Sequence, residues 1–190
     1  MEIRDVFADL PTLETPRLRL RRLTMDDAVA VFEYARDEEV ARYVPWPAHQ
    51  SIEDARRFLE LVTGQLERGE VAPWGMELTT EHRLIGSTGY IWWQPAHARA
   101  ELGWAMARPY WNRGLMTEAV KACIAFGFAR MGLNRIEARC RLENGASERV
   151  MQKAGMTFEG IARQMMLMKG NYVDLKVYSL LREEHLGQAD

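Results

Sequence analysis

Cysteine is scarce in this sequence: two residues in 190, Cys123 and Cys140. No disulfide framework or cysteine-based metal site can be drawn from them. Both fall on apolar faces of expected elements and read as small buried hydrophobes. The four histidines, His49, His82, His97 and His185, are isolated from one another, so no metal site is expected. No apolar run approaches a membrane span, and the acidic, mixed N-terminus is unlike a signal peptide. A reducing, cytoplasmic setting is the default expectation, with no membrane partner. Charge of one sign is lacking too. With 25 Lys+Arg against 27 Asp+Glu the net charge is -2, which gives no electrostatic case for nucleic acid as the main partner. There is no Gly-Lys-Ser/Thr of a Walker loop, and the glycines do not fit a dinucleotide fingerprint. Repeats, low-complexity tracts and linkers are also missing, so residues 1–190 are expected to form a single domain.

What is present is a soluble globular composition, 47% hydrophobic and 27% charged. Residues 1–16 read as a lead-in. Arg17 to Leu23 alternates leucine with arginine, a strand with one wet face. Thr24 with Asp27, and Ser51 with Asp54, look like capping boxes opening two helices. Their expected buried stripes are Ala28, Val31, Phe32 and Ala35, then Ala55, Phe58, Leu59, Val62 and Leu66. Pro45 and Pro47 keep the segment between them out of helix. Strands are expected over Ala72 to Thr79, Leu84 to Trp93 and His97 to Ala107. A helix then carries Met116, Val120, Cys123, Ile124, Gly127 and Met131 on one face, closed by Gly132. Asn134 to Arg141 is a strand, Asn144 opens a short helix, and Thr157 to Met168 and Tyr172 to Leu181 form a hairpin turning at Lys169-Gly170-Asn171. The order is β-α-α-β-β-β-α-β-α-β-β. That is mixed α/β, with a largely antiparallel twisted sheet of about seven strands and about four helices.

The stretch from Arg108 to Arg130 is the organising feature. It joins an apolar strand to the amphipathic helix through a turn holding Asn112 and Gly114, residue types that tolerate positive φ, and one cation, Arg113. Strand, turn and helix N-terminus together make an anion site: backbone donors converge and the helix dipole adds roughly half a positive charge. Phosphate is the obvious guest, although an ordinary βα connection has the same outline.

At these residues the chain resembles the GNAT superfamily of acetyl-CoA-dependent N-acetyltransferases. The likeness is carried by Tyr-Trp-Asn-Arg-Gly-Leu-Met-Thr-Glu-Ala from Tyr110 on the third helix. Three flanking segments, Leu13 to Arg21, Asn144 to Met156 and Gly170 to Asp174, resemble the branch that includes the ribosomal-protein alanine and serine N-acetyltransferases. The resemblance covers about residues 12–183. Two departures stand out. Pro109, Asn112 and Gly114 fill the signature positions of a loop that usually reads Gln/Arg-x-x-Gly-x-Gly/Ala. The position where many members place a general-acid tyrosine is Met151, which leaves Ser147, at the branch's serine position, as the nearest group to the departing thiolate.

The resemblance implies that acetyl-CoA lies where the strand ending near Ala107 splays from the strand Arg135 to Cys140. Backbone groups of Trp104, Ala105 and Met106 would pair with its pantetheine arm. The pyrophosphate would rest on N–H groups of Asn112, Arg113, Gly114, Leu115, Met116 and Thr117. Asn144 would cap the short helix and touch the arm. Arg149 and Lys153 could reach the far phosphates or simply be solvated. Ser147 could hydrogen-bond the sulfur. Glu101 is the first choice for the base or a water-anchoring carboxylate, against a paired structural role; Glu77 is second. The acceptor pocket is expected from Pro45-Trp46, Trp92-Trp93 and the hairpin Met168 to Tyr172, with Met165, Met166 and Met168 read as core. The function so implied is direct transfer of acetyl to a primary amine, either a protein N-terminus of the ribosomal alanine or serine type or a small amine such as an amino acid, polyamine or antibiotic. A non-catalytic acyl-CoA-binding module is the reading from another class. By resemblance alone a homodimer is plausible.

Overall fold

Hydrophobic alternation and capping chemistry account for most of the elements in the computed structural model, which describes residues 2–187. In chain order they are α1 (Ile3–Phe7), β1 (Leu13–Glu14), β2 (Leu18–Arg21), α2 (Ala28–Ala35), α3 (Glu38–Ala41), α4 (Ile52–Glu67), β3 (Trp74–Leu78), β4 (Arg83–Gln94), β5 (Arg99–Met106), α5 (Leu115–Arg130), β6 (Arg135–Arg141), α6 (Gly145–Lys153), β7 (Thr157–Met168), β8 (Asn171–Leu181) and α7 (Arg182–Gly187). Both capping boxes form reciprocally, Thr24 with Asp27 and Ser51 with Asp54. The lead-in is more ordered than expected. It supplies α1 and the two-residue β1, because Phe7 is fully buried with its ring centroid 6.4 Å from those of both Trp74 and Trp93. A segment that short carries too few periods to be legible. The other additional helices, α3 and α7, are short as well.

One eight-stranded sheet runs β1-β2-β3-β4-β5-β6-β8-β7. Every neighbouring pair is antiparallel except β5 with β6. A parallel pair needs a crossover, and α5 is that crossover. It is buried nearly all round, with Leu115, Met116, Ala119, Val120, Cys123, Ile124, Phe126, Gly127 and Phe128 inside. Helices of that composition lie against a sheet rather than on a surface.

The two faces of the sheet separate cleanly. The Tyr90 hydroxyl donates to the Cys123 carbonyl at 2.8 Å, which fixes α5 on one face. Glu148 of α6 accepts from Lys176 and Tyr178 of β8, on that same face. The Tyr34 hydroxyl of α2 lies 3.4 Å from the Ser87 hydroxyl on the opposite face. Gly127 allows the first contact: a Cβ there would overlap the Tyr90 hydroxyl.

Candidate active site

The site starts where the parallel pair opens. β5 and β6 are in register from Arg99↔Arg135 to Leu102↔Ala138 and then part. Beyond that point β5 keeps only its β4 neighbour, through Trp104↔Thr88 to Met106↔Gly86. β6 keeps only β8, through Arg139↔Val177 to Arg141↔Leu175. The Ala107 N–H donates to the Ile85 carbonyl, so strand alternation turns the amide groups of Trp104 and Met106 toward the gap. The Met106 carbonyl accepts from the Trp111 indole at 2.7 Å. The backbone groups of Trp104 face the gap unshared with β6, the geometry of an edge that accepts an extended ligand.

The turn after β5 has the conformation that an anion site needs. Asn112 has φ 60° and Gly114 φ 76°, both left-handed, and Gly114 is the N-cap of α5. Glu118 N–H is paired to the Gly114 carbonyl. The N–H groups of Leu115, Met116 and Thr117 precede it and have no partner within the helix. A Cβ at Gly114 would have only the Arg17 guanidinium near it, at 3.6 Å, so the approach to these donors is open. Asn112, Arg113 and Gly114 are exposed, while Leu115 and Met116 turn their side chains into the core. The Arg113 guanidinium sits 5.5 Å from the Tyr110 ring.

A clamp from the far N-terminus holds this turn. Arg17 donates to the Arg113 carbonyl at 2.9 Å, and its guanidinium and N–H both bind Glu118, as does the Thr15 hydroxyl. Burial pushes the Glu118 carboxyl up, but these bonds outweigh it and hold it below the usual glutamate range. Arg17 was not among the residues singled out as functional, although it stands in the Leu13 to Arg21 segment that carried the resemblance.

On α6, Asn144 and Ser147 bracket each other. The Asn144 side chain accepts from the Ser147 N–H at 3.1 Å and its amide donates to the Ser147 hydroxyl at 3.1 Å. With its oxygen so engaged, the hydroxyl keeps its own hydrogen to give away. Asn144 is thus the expected cap, and it also orients Ser147. Lys153 and Arg149 are exposed on the same helix, and Met151 is fully buried.

Glu101 is 4% exposed. It lies on the α2 face, level with the last paired residues, and accepts from the Trp92 indole at 2.5 Å and from two nitrogens of Arg139. The arrangement is the paired structural carboxylate weighed against a base. Glu77 is likewise tied, to Arg21 at 2.7 Å. Trp92 and Trp93 do not wall an acceptor pocket. They pair with Glu101 and Ala100, where β5 and β6 are still closed, and Trp93 is core against Phe7. The expectation failed because a β-bulge at Ile91 and the sheet register, neither legible locally, decide which end of β4 meets the gap.

Other residues do reach the gap from the α2 face. Alternation puts Arg141 on the side of Arg139 and Glu137. Its guanidinium lies 6.0 Å from the ring of Tyr43, and Arg42 lies 5.2 Å from the same ring. Lys169, in the β7–β8 turn, donates to the Ala41 carbonyl at 2.6 Å, which brings the hairpin tip to the end of α3. Of the expected hairpin residues Met168 is buried, Tyr172 is 68% exposed, and Met165 is 53% exposed rather than core. Trp46 is half-buried, 5.7 Å from His49.

Residues 17–157 match the model of an acetyltransferase (GNAT) domain. A protein of Bacillus subtilis (strain 168) described as the uncharacterized N-acetyltransferase YoaA is 34% identical over 172 residues, 90% of this chain and 97% of that one. The ribosomal-protein-serine acetyltransferase of Escherichia coli (strain K12) is 27% identical over 136 residues, 70% of this chain and 74% of that one. The crystal structure of an acetyltransferase (GNAT family) from Bacillus anthracis superposes with a TM-score of 0.81 at 32% identity, covering 91% and 99% of the two chains.

Proposed function

The chain belongs to the GNAT acetyltransferase family and is an N-acetyltransferase; from that premise we propose that it moves acetyl from acetyl-CoA directly to the N-terminal amine of a protein, with both substrates bound at once. The observation that carries the reading is the opening of β5 from β6 after Leu102↔Ala138, with the left-handed turn at one end of the gap and the Asn144–Ser147 bracket beside it.

The residues present suit the thioester. The N–H groups from Asn112 to Thr117 would take the pyrophosphate, and the α5 dipole favours that charge. The amide groups of Trp104 would pair with the pantetheine arm and steady the charge developing on the carbonyl oxygen. Ser147 would donate its hydroxyl hydrogen to the departing sulfur. The amine must be neutral to attack, and its proton leaves through water. Glu101 is better suited to fixing where the strands part than to taking that proton, since protonating it would dismantle its pair with Arg139. Holding amine and thioester in line supplies much of the rate. The acceptor comes from the α2 face, opposite Ser147. One observation favours a peptide: the similarity to a ribosomal-protein-serine acetyltransferase.

The test is thiol release from acetyl-CoA by the purified protein with peptides beginning in alanine or serine, polyamines, free amino acids and aminoglycosides. Turnover confined to the peptides is expected. Turnover on a small amine alone would move the protein to the other acceptor class, and binding of acetyl-CoA without turnover on any amine would favour a non-catalytic module. Ser147→Ala should lower kcat by about tenfold to a hundredfold while the KM for acetyl-CoA stays put. An unchanged chemical step would remove Ser147 from the mechanism.

A further inference from the structure

The α2-face mouth of the gap is built of cations held loosely. Arg141 closes the unpaired stretch of β6, and Arg42 follows α3. Both guanidiniums converge on the Tyr43 ring from different walls. Each has one loose carboxylate contact, Arg42 to Glu39 and Arg141 to Glu143, both at 3.4 Å, and both carboxylates are more than half exposed. Compare Arg139, two residues before Arg141, which is half-buried and bound through two nitrogens to Glu101. Lys169 is satisfied by a backbone carbonyl, and among the described residues no carboxylate forms an ion pair with it. Three cations at one mouth therefore keep most of their donor capacity.

Resting on the acetyltransferase reading, we infer that the acceptor amine carries a carboxylate, which Arg141 and Arg42 receive beside Tyr43. The chemistry suits a planar fork meeting a planar anion. Arg141 lies two strand residues beyond Arg139, about 6.6 Å along β6. With the amine placed at the opening after Leu102↔Ala138, a carboxylate held by Arg141 is a few bonds away. A free α-amino acid meets this requirement, and so does a peptide with an acidic residue in its first two positions. The same cations act on the nucleophile. Positive charge beside the entering ammonium favours loss of its proton, so the mouth that selects the acceptor also helps make it neutral. A polyamine, with several positive charges and no anion, is disfavoured on both counts.

The experiment measures kcat/KM on matched pairs differing only in the anion. Free amino acids are set against their amides, Ser-Asp-initiated peptides against Ser-Asn-initiated ones, and spermidine is included. The acidic member should win by about tenfold or more, and the arm with the larger ratio identifies the source as amino acid or peptide. Arg141→Gln should bring the ratio close to one without altering the KM for acetyl-CoA. Arg42→Gln should reduce it less, and Arg141→Lys should keep part of it. Because the ratio is taken within one protein preparation, a loss of folded material cannot mimic its collapse. Amides used as well as acids, a ratio indifferent to Arg141, or spermidine as the best acceptor would each overturn the inference while leaving the acetyltransferase intact. Absence of thiol release with every amine would instead sink the reading on which it rests.

Discussion

The two halves of the sheet differ in how much charge they bury. From β1 to β4 the interior is mostly apolar, with Leu18, Leu20, Trp74, Met76 and Ile85 fully enclosed and one buried carboxylate, Asp27, bound to Arg21. From β5 to β8 the α2 face is a lattice of charge. Glu101 binds Arg139, Glu137 binds Arg135 and Arg99, and Glu159 binds Arg135 and accepts from Ser179. Glu101, Glu137 and Ser179 are each buried to 9% exposure or less. The first half is held by packing, which is non-directional and fills space. The second adds directional pairs on its α2 face to the packing of Ala100, Leu102, Ile136 and Ala138. The parallel pair ends at Leu102↔Ala138, one residue past Glu101↔Glu137.

The sharpest way to break this contrast is to leave one charge of the lattice alone. Arg139→Met strands Glu101 in the interior and should cost about 3–5 kcal/mol in chemical denaturation. Adding Glu101→Leu should recover most of that loss; if the double variant is as unstable as the single, the pair is not what holds this region. The packed half should fail by overlap instead. Gly127→Ala drives a methyl into the Tyr90 hydroxyl and threatens its bond to the Cys123 carbonyl, for about 2–3 kcal/mol. Here Tyr90→Phe in the same chain should restore part of the midpoint, because it removes the obstructing oxygen.

At the junction the effect should fall on ligand binding more than on stability. Gly114→Val adds a side chain where φ is 76°, a conformation that costs roughly 1–2 kcal/mol for such a residue, and it also obstructs the turn. Calorimetry should find acetyl-CoA binding weakened by about tenfold or more. Unchanged affinity would move the phosphate site elsewhere. Acid should produce the smallest and broadest change. Bonds from Arg135 hold Glu159 below its usual range. Burial raises Asp27, but its bonds to Arg21 and Thr24 outweigh that and lower it overall, as at Glu118. Carboxyls depressed in the folded state add stability above their unfolded values and lose it as pH falls through the folded ones. The melting temperature should therefore hold from neutrality to about pH 5 and decline below about pH 4. Glu118→Gln should make the decline shallower. An equal decline in that variant would mean the Arg17 clamp adds nothing.

Much of this was legible from local chemistry. The capping pairs at Thr24 and Ser51 and the positive-φ turn at Asn112 and Gly114 depend on residues a few positions apart and appear as expected, whereas α5, expected to bury one face, is buried nearly all round because it crosses over the sheet. What could not be read depends on separations of tens of residues. Arg17 meets the turn of residues 112–114 across nearly a hundred positions. Trp92 and Trp93 fell at the closed end of the gap because a bulge at Ile91 resets the register. Tyr43 becomes part of a mouth only when α3, the end of β6 and the β7–β8 turn converge.

By itself, then, the sequence determined the order of the longer elements, the left-handed turn at Asn112 and Gly114 and the likeness to GNAT acetyltransferases, since each rests on short-range periodicity, capping or contiguous motif. Only the tertiary structure decided that Glu101 is locked to Arg139 and that Arg42, Arg141 and Lys169 share one mouth. The reason is physical. A side chain's chemistry is set by its neighbours, and in a sheet the neighbours come from register and face, which a single strand does not carry.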